Sequence, residues 1–334
     1  MKRLLLLYLL SNFVYSFCQE KNTKIDSLNS QNSIYIDLSE FEINKHKVNS
    51  KANLDFKNAI IVDNLDFYPN KDDFNNFYKS SYNGKVKQVT VYKKNTKDSY
   101  KRFDRMDKFN IHGYLIESEY TYAGNLYYSY DSNNNLIKEV KVRDGDTIRV
   151  KNIYYNDNGK IEKIKENYLK EKKDYEYNLD ILIEYDSEGR PSKIINNNPK
   201  KKYTKEISYK NNQVIIFYKS NTNSKKEIYT YSNKFKLLEE ENQNHTIINK
   251  YDESDRLFSS MTYRDQEYCC TDFYNRNENG FLINRIFTNH LKNHKEITTY
   301  KYEFDDFKNI IFEFSSNNII DREYETYYEI EYFE

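Results

Sequence analysis

The stretch Tyr130-Asp131-Ser132-Asn133-Asn134-Asn135-Leu136 decides how this sequence reads. An aromatic, an acidic or amide residue, a short polar run and an aliphatic six positions after the aromatic describe a turn between two strands. The Asp131 carboxylate can accept hydrogen bonds from the turn amides, and Asn134 stands where the backbone takes a positive φ. The phrase returns as Tyr155-Asn156-Asp157-Asn158-Gly159-Lys160-Ile161, as Tyr185-Asp186-Ser187-Glu188-Gly189-Arg190-Pro191 and as Tyr251-Asp252-Glu253-Ser254-Asp255-Arg256-Leu257. Gly159 and Gly189 occupy the Asn134 position, and glycine takes positive φ without steric cost. Poorer copies run from Phe103 to Phe109, Tyr231 to Leu237 and Phe304 to Ile310. Tyr209 begins a shortened copy reaching Val214, and Tyr274 a lengthened one reaching Leu282.

Working outward, the aromatic anchors stand roughly 20 to 30 residues apart, room for two strands and a second, variable turn. The flanks alternate with period two: Leu126, Tyr128 and Tyr130 approach the turn on one parity, and Leu136, Val140 and Val142 leave it on one parity, with Lys138 the exception. Tyr300, Tyr302 and Phe304 precede a late turn, Ile310, Phe312 and Phe314 follow it, and Glu323 to Phe333 reads as a last strand. Lys160 to Glu176 is loaded with Lys and Glu and carries both helix and strand readings; its place directly after a turn favours strand. Hydrophobic content is only 38%, but 35 Tyr and 20 Phe dominate it and just 3 Pro interrupt the chain. A disordered chain is poor in aromatics, so this composition speaks for many half-buried strands.

The expectation is an all-β chain: antiparallel hairpins over 85–334 forming an elongated, twisted or partly curled meander sheet. Residues 19–84 lack the phrase. They read as a flexible lead and a small irregular N-terminal cap, with short strands at Ile34 to Leu38 and Ala59 to Val62. Phe74, Phe77, Tyr78 and Tyr82 lie at helical spacing, a candidate short helix over Asp72 to Tyr82.

The Tyr-Asp-x-x-Gly phrase followed by a polar and an aliphatic residue resembles the YD repeats of RHS-type proteins, and in particular small exported repeat proteins of Bacteroidetes. In the large members of that group such hairpins coil into a spiral β-shell that encloses a toxin or presents a surface for cell contact. The resemblance implies the same here over about residues 85–334. The chain departs from the pattern in having few repeats, no Asp-Pro core signature and no C-terminal toxin segment, so toxin delivery is not expected of it.

The first residues read as an export leader over 1–18: Lys2 and Arg3, an apolar run from Leu4 to Leu10, and small residues Ser16 and Cys18 before Gln19. The rival reading is a lipoprotein acylated at Cys18, against which Phe17 fills the position where a small residue belongs. The apolar run is short of the roughly 20 residues that span a bilayer, so no integral membrane helix is expected. Loss of the leader would leave 50 basic against 52 acidic side chains, and charge of both signs is interspersed along the chain. Neither nucleic acid nor an anionic membrane is expected as a partner.

Candidate chemistry is sparse. His290 and His294 stand four apart, but in a variable turn rather than on a helix; His46, His112 and His245 are isolated. Asp131, Asn133 and Asn135 resemble the opening of a calcium loop, yet Leu136 stands where that loop needs Gly and Val142 where it needs Glu. Cys269 and Cys270, as neighbours on a strand, should face opposite ways, one buried and one exposed. No nucleophile elbow, phosphate loop, dinucleotide fingerprint or metalloprotease motif is present. No catalytic, cofactor-binding or metal residue is assigned and no cofactor is expected.

The functional expectation is a non-enzymatic exported or cell-surface interaction or structural protein that binds an envelope or extracellular protein, or a glycan, through its repetitive sheet. The alternatives are a glycan-active enzyme with a site in the sheet concavity and a periplasmic immunity protein.

Overall fold

The computed structural model describes residues 60–62, 66–68, 78–169, 178–234, 236–319 and 322–334. The export leader, the flexible lead and most of the candidate helix therefore lie outside the described residues. β1 (Ile60–Val62) and β2 (Asp66–Tyr68) pair antiparallel. Ten strands then follow: β3 (Val86–Asn95), β4 (Arg102–Phe109), β5 (Leu115–Tyr120), β6 (Gly124–Tyr130), β7 (Leu136–Arg143), β8 (Asp146–Tyr155), β9 (Ile161–Tyr168), β10 (Leu179–Tyr185), β11 (Pro191–Asn196) and β12 (Tyr203–Lys210). Ten more complete the chain: β13 (Gln213–Ser220), β14 (Ser224–Tyr231), β15 (Leu237–Glu241), β16 (His245–Tyr251), β17 (Leu257–Arg264), β18 (Glu267–Arg276), β19 (Leu282–Asn289), β20 (His294–Phe304), β21 (Ile310–Asn317) and β22 (Arg322–Tyr332). From β3 onward each strand pairs with the next, and β22 returns to pair with β3, so the sheet closes into a 20-strand antiparallel barrel.

Closure corrects two expectations. The sheet is not an elongated or partly curled meander, and the chain is not an open RHS-type repeat array: the turn phrases are the hairpins of one ring. The physical reason lies in the phrases themselves. In eight of them the anchor pairs with the aliphatic six residues on while the preceding residue skips one position, leaving an extra residue such as Ile137, Glu162 or Ser192. Each is a β-bulge, which bends its strand and adds right-handed twist. Bulges repeated along one rim curl the sheet until its ends meet.

The bulge also explains the irregular parity after the turn. Leu136 and Glu139 are buried while Ile137 and Lys138 between them are exposed, and Ile161 and Ile164 repeat the pattern around Glu162. Val140 and Val142 therefore do not share a face with Leu136; Glu139 does. Two copies lie elsewhere along the chain than the spacing predicts. The first phrase runs from Phe109 to Leu115, with Asn110 supplying the turn, while Phe103 sits inside β4. The supposed lengthened copy is a regular one from Arg276 to Leu282, with arginine in the aromatic place. Lys160 to Glu176 begins as strand β9, and its residues 170–176 lie outside the described residues.

Each turn is held in the same way. Asp186 accepts from the amides of Glu188 at 3.0 Å and Arg190 at 2.8 Å and from the Arg190 guanidinium at 2.7 Å, and Gly189 has φ 77°. Asp252 repeats the set with Ser254 and Arg256. At Asp131 the acceptor bonds go to the Asn133 and Asn135 amides and the Asn135 side chain. Asp131→Ala is expected to lower stability by about 1–2 kcal/mol through these lost bonds, read by chemical denaturation; an unchanged midpoint would show the turn forms without them. Burial opposes ionisation of Asp186 and Asp252, but their amide and guanidinium partners outweigh it and hold both carboxyls below the ordinary range. Their contribution is complete above the unfolded carboxylate value of about 3.9 and is lost as pH falls through the lower folded value. Melting temperature should thus fall with acidification below about pH 4.

The anchors form a second system around the same rim. The Tyr185 hydroxyl donates to the carbonyl of Ile161 at 2.6 Å, Tyr155 to Leu136 at 2.9 Å, Tyr209 to Pro191 at 2.7 Å and Tyr251 to Leu237 at 2.9 Å. Each links its hairpin to the aliphatic position of the phrase before it. Tyr78 to Ser80 do not form a helical turn: Lys79 bridges to Tyr114, Tyr78 accepts from the Leu115 amide, and the Tyr78 ring packs on Tyr128.

Crowding on the concave side of a closed sheet assigns the buried parity to the interior. Its largest cluster runs from Leu136 through Ile153, Ile164, Ile181, Ile194 and Ile207 to Val214 and Tyr231. A second cluster of Val86, Val89, Val91 and Phe109 lies at the β22–β3 seam, packed by Tyr328 and Ile330. Along β17 and β18 both parities are buried, with Met261 and Phe273 on the outer one.

Candidate functional site

Below the tyrosine rim the inner face carries charge. Strand register sets Glu139, Lys151 and Glu166 side by side across β7, β8 and β9, all buried. Arg149, one inward position further along β8, pairs with Glu139 and stands 3.8 Å from Glu166. Elsewhere in the interior Arg105 meets Asp107 at 2.9 Å, and Ser118 donates to the same carboxylate at 2.7 Å. Lys225 meets Glu227 at 2.5 Å and Arg285 meets Asp272 at 2.6 Å. Every buried carboxylate among the described residues thus has a cationic partner. Burial pushes the Asp272 carboxyl up, and Arg285 offsets part of that. Burial likewise raises the tyrosine hydroxyls of the rim, so they stay neutral donors.

A glycosidase needs two carboxyls flanking a substrate with room for a sugar or a water between them. Register brings Glu139 and Glu166 near each other across Lys151, and Asp272 and Glu296 across Phe287; Arg149 pairs with Glu139 and stands 3.8 Å from Glu166, and Arg285 meets Asp272. These carboxylates belong to internal ion pairs, which gives the alternative of an enzyme site in the concavity no support. The expected binding through a repetitive sheet is corrected, because the sheet from β3 to β22 closes on itself and leaves no free edge.

The singled-out residues fall as follows. Among the described residues no group of three or more His, Cys, Asp or Glu side chains is placed to hold a metal ion. His290 stacks on Tyr268 at 4.3 Å and meets Thr271 Oγ1 at 2.9 Å, while His294 pairs with Glu296 at 2.9 Å. His245 meets the Asn242 amide at 2.9 Å, the His112 amide donates to Asn110, and His46 lies outside the described residues. The Asp131 carboxylate is spent on its own turn.

Cys269 and Cys270 do not split between faces. Thr262 pairs with Cys270 and Tyr263 with Tyr268, so Cys269 is the extra residue of a bulge. Both thiols are buried, with sulfurs 2.7 Å apart. Burial first, then Cys269 beside it, pushes the Cys270 thiol up to about 12. A thiol so far above neutral pH is a poor nucleophile. Alkylation of the native protein at pH 8 should leave both cysteines unmodified, and unfolding should expose them; rapid native labelling would contradict the buried bulge.

No protein-family model matches the chain, and no curated protein is similar to it. Among solved structures, a porin-like protein from Bacteroides vulgatus is similar at 10% identity over 74% of this chain and 98% of its own, with a TM-score of 0.33. A porin-like protein from Bacteroides uniformis is similar at 12% identity over 75% of this chain and 98% of its own, TM-score 0.31. A Photorhabdus luminescens Tc holotoxin pore is similar at 11% identity over 70% of this chain, TM-score 0.29, and the match spans only 14% of that chain. Likenesses this distant carry no argument about function, and the strand pairing alone establishes the closed barrel.

Proposed function

We propose that the protein is a non-enzymatic, water-soluble barrel of the cell envelope or exterior, a closed structural body and not a lipid-spanning pore. One observation carries the reading: no uncharged band runs right around either face of the barrel, although the outward rows from Ile248 to Thr288 and from Ser259 to Ile297 are free of charge. A membrane barrel needs an outward apolar belt about 25 Å tall, and a Lys or Arg at its centre costs about 2–4 kcal/mol. Here the outer parity carries Lys108 beside Glu117, Lys163 and Lys165 on β9, Asp180 on β10 and Glu206 on β12. Lys94 pairs with Glu325 on the same face across the seam. The inner parity holds the ion pairs already described. The even, up-and-down strand count is shared with outer-membrane barrels, which makes the pore the reading to test against.

An export leader, as expected over residues 1–18, would be in keeping with this assignment. The test is flotation with lipid vesicles and recovery without detergent. The full chain should stay soluble, monodisperse and at the bottom of the gradient. Detergent-dependent recovery, flotation with vesicles or single-channel conductance would overturn the proposal.

A further inference from the structure

The outer face is mostly neutralised strand by strand. Lys108 meets Glu117 at 2.9 Å, Lys94 meets Glu325 at 3.2 Å and Lys163 meets Asp180 at 3.2 Å. One region breaks this pattern. Across β11 to β14 the register sets Lys193, Glu206, Phe217 and Lys226 in a single outward row. The next row toward the variable rim holds Thr204, Lys219 and Ser224. Phe217 takes the place where a carboxylate would neutralise Lys226, whose ammonium instead sits 5.6 Å from the ring centre.

These rows, with Lys202 and Gln243 from the adjoining rim turns and the inward Tyr203, Tyr218, Ser220 and Lys225 at the strand ends, line a cleft of about 750 Å3 in all. That volume suits a small ligand of a few rings. Its lining holds five lysines and a single acid, Glu206; Lys225 pairs with Glu227 and Lys193 stands 3.8 Å from Glu184, which leaves Lys202, Lys219 and Lys226. Lys202, Lys219 and Lys226 are exposed and have no carboxylate within ion-pair distance among the described residues, and Phe217 is 47% exposed. The cleft thus joins an aromatic platform, unneutralised cations, and hydroxyl and amide groups.

We infer that this cleft binds an anionic oligosaccharide, the C–H face of one sugar lying on Phe217 and its carboxylate or sulfate groups meeting Lys202, Lys219 and Lys226. A sugar ring offers both an apolar face for an aromatic and hydroxyls for Thr204, Ser224 and Gln243. Lysines act as point charges suited to one anionic group per sugar, whereas tracking a phosphate backbone favours Arg forks and successive stacking platforms. The site is one local cleft at the rim, separate from the repeating turns, and it meets the inner ion pairs only at Lys225, the partner of Glu227. It does not depend on the barrel being soluble.

The experiment is calorimetric titration of the full chain with four probes of equal length: an oligogalacturonate, a carrageenan oligosaccharide, neutral maltohexaose and oligothymidylate. At least one of the two acidic saccharides should bind, more weakly as salt rises, and which one binds separates carboxylate from sulfate recognition. Lys219→Gln with Lys226→Gln should weaken that binding at least tenfold, and Phe217→Ala should weaken it severalfold. These side chains are exposed, so circular dichroism and melting temperature should match the parent. If a variant fails to fold, competition of the parent's binding by salt and by maltohexaose decides instead. The inference falls if neither acidic saccharide binds, if maltohexaose binds as well or oligothymidylate binds better, or if the folded lysine variant binds unchanged. Vesicle flotation together with saccharide binding would sink the solubility proposal and leave this one standing.

Discussion

A chain ended at Asn317, without β22, is expected to lose its single cooperative unfolding transition and to elute as aggregates in size-exclusion chromatography. The seam it removes joins nine residue pairs between β22 and β3, from Tyr324 with Asn95 to Tyr332 with Val86. That seam copies a turn phrase without the covalent loop. Tyr332 pairs with Val86 across a bulge, the Phe333 amide donates to the Lys85 carbonyl at 2.8 Å, and Gly84 has φ 80°, matching the bulge, the Asp186-to-Arg190 bond and Gly189 of the turn after β10. Asn309 fastens the join sideways: its Oδ1 accepts from the Asn83 amide at 2.6 Å and its Nδ2 donates to the Tyr332 hydroxyl at 2.7 Å. Deletion would bare two edges at once, β21 and β3, and uncover Val89 and Val91, which are 0% and 2% exposed in the intact barrel. Bare, flat edges template association, and a loss on this scale rivals the roughly 5–15 kcal/mol by which a whole domain is stable. A truncated chain that stays monomeric and melts sharply would show that the ring is not the cooperative unit.

The second large effect is expected at the Asp272–Arg285 pair. Arg285→Met should destabilise the barrel by about 3–5 kcal/mol, because it leaves the Asp272 carboxylate inside without its cation. Asp272 is 6% exposed and lies in one inward row with Ser260 and Phe287, so no water-facing position is open to it. Asp272→Leu combined with Arg285→Met should recover most of that loss, since removing both charges removes the desolvation penalty as well. Urea denaturation of the three variants measures both numbers. The carboxyl is already raised by burial, and without Arg285 it would rise further. Above the ordinary carboxylate range the unfolded state then holds fewer protons than the folded one, so the single variant should lose stability as pH climbs from 4 toward neutral. Equal stability of single and double variants would mean the pair is hydrated and contributes little.

The hairpins were legible because a turn is local chemistry. Tyr185 to Pro191 and Tyr251 to Leu257 carry the acceptor, the positive-φ residue and the flanking apolar positions within seven residues. Strand β9 was legible from its place after a turn despite its lysines. Closure was not, because it depends on the bulge at each anchor, and a bulge leaves only a shifted parity such as buried Leu136 and Glu139 around exposed Ile137 and Lys138. That shift was visible as the anomaly at Lys138 and would have moved Glu139 to the inside. The phrase starting at Arg276 was hidden because arginine replaced the aromatic, although Asn277, Gly280 and Leu282 kept their spacing. The cysteines went wrong by the same rule, with Cys269 as the extra residue. The basic cleft had no linear signal at all: Lys193, Lys202, Lys219 and Lys226 are scattered over three strands and one connection, and only the register gathers them.

The seam that mimics a turn has a consequence for how such a molecule can change size. Because the closing pair obeys the same local geometry as the eight turn phrases on its rim, the ring has no privileged member there. Duplicating or losing one two-strand unit would change the girth by about 10 Å and still present a Tyr-like end to a Gly-x-Val-like beginning. Such a lineage can widen or narrow its wall in even steps by ordinary recombination, without inventing a new way to shut it.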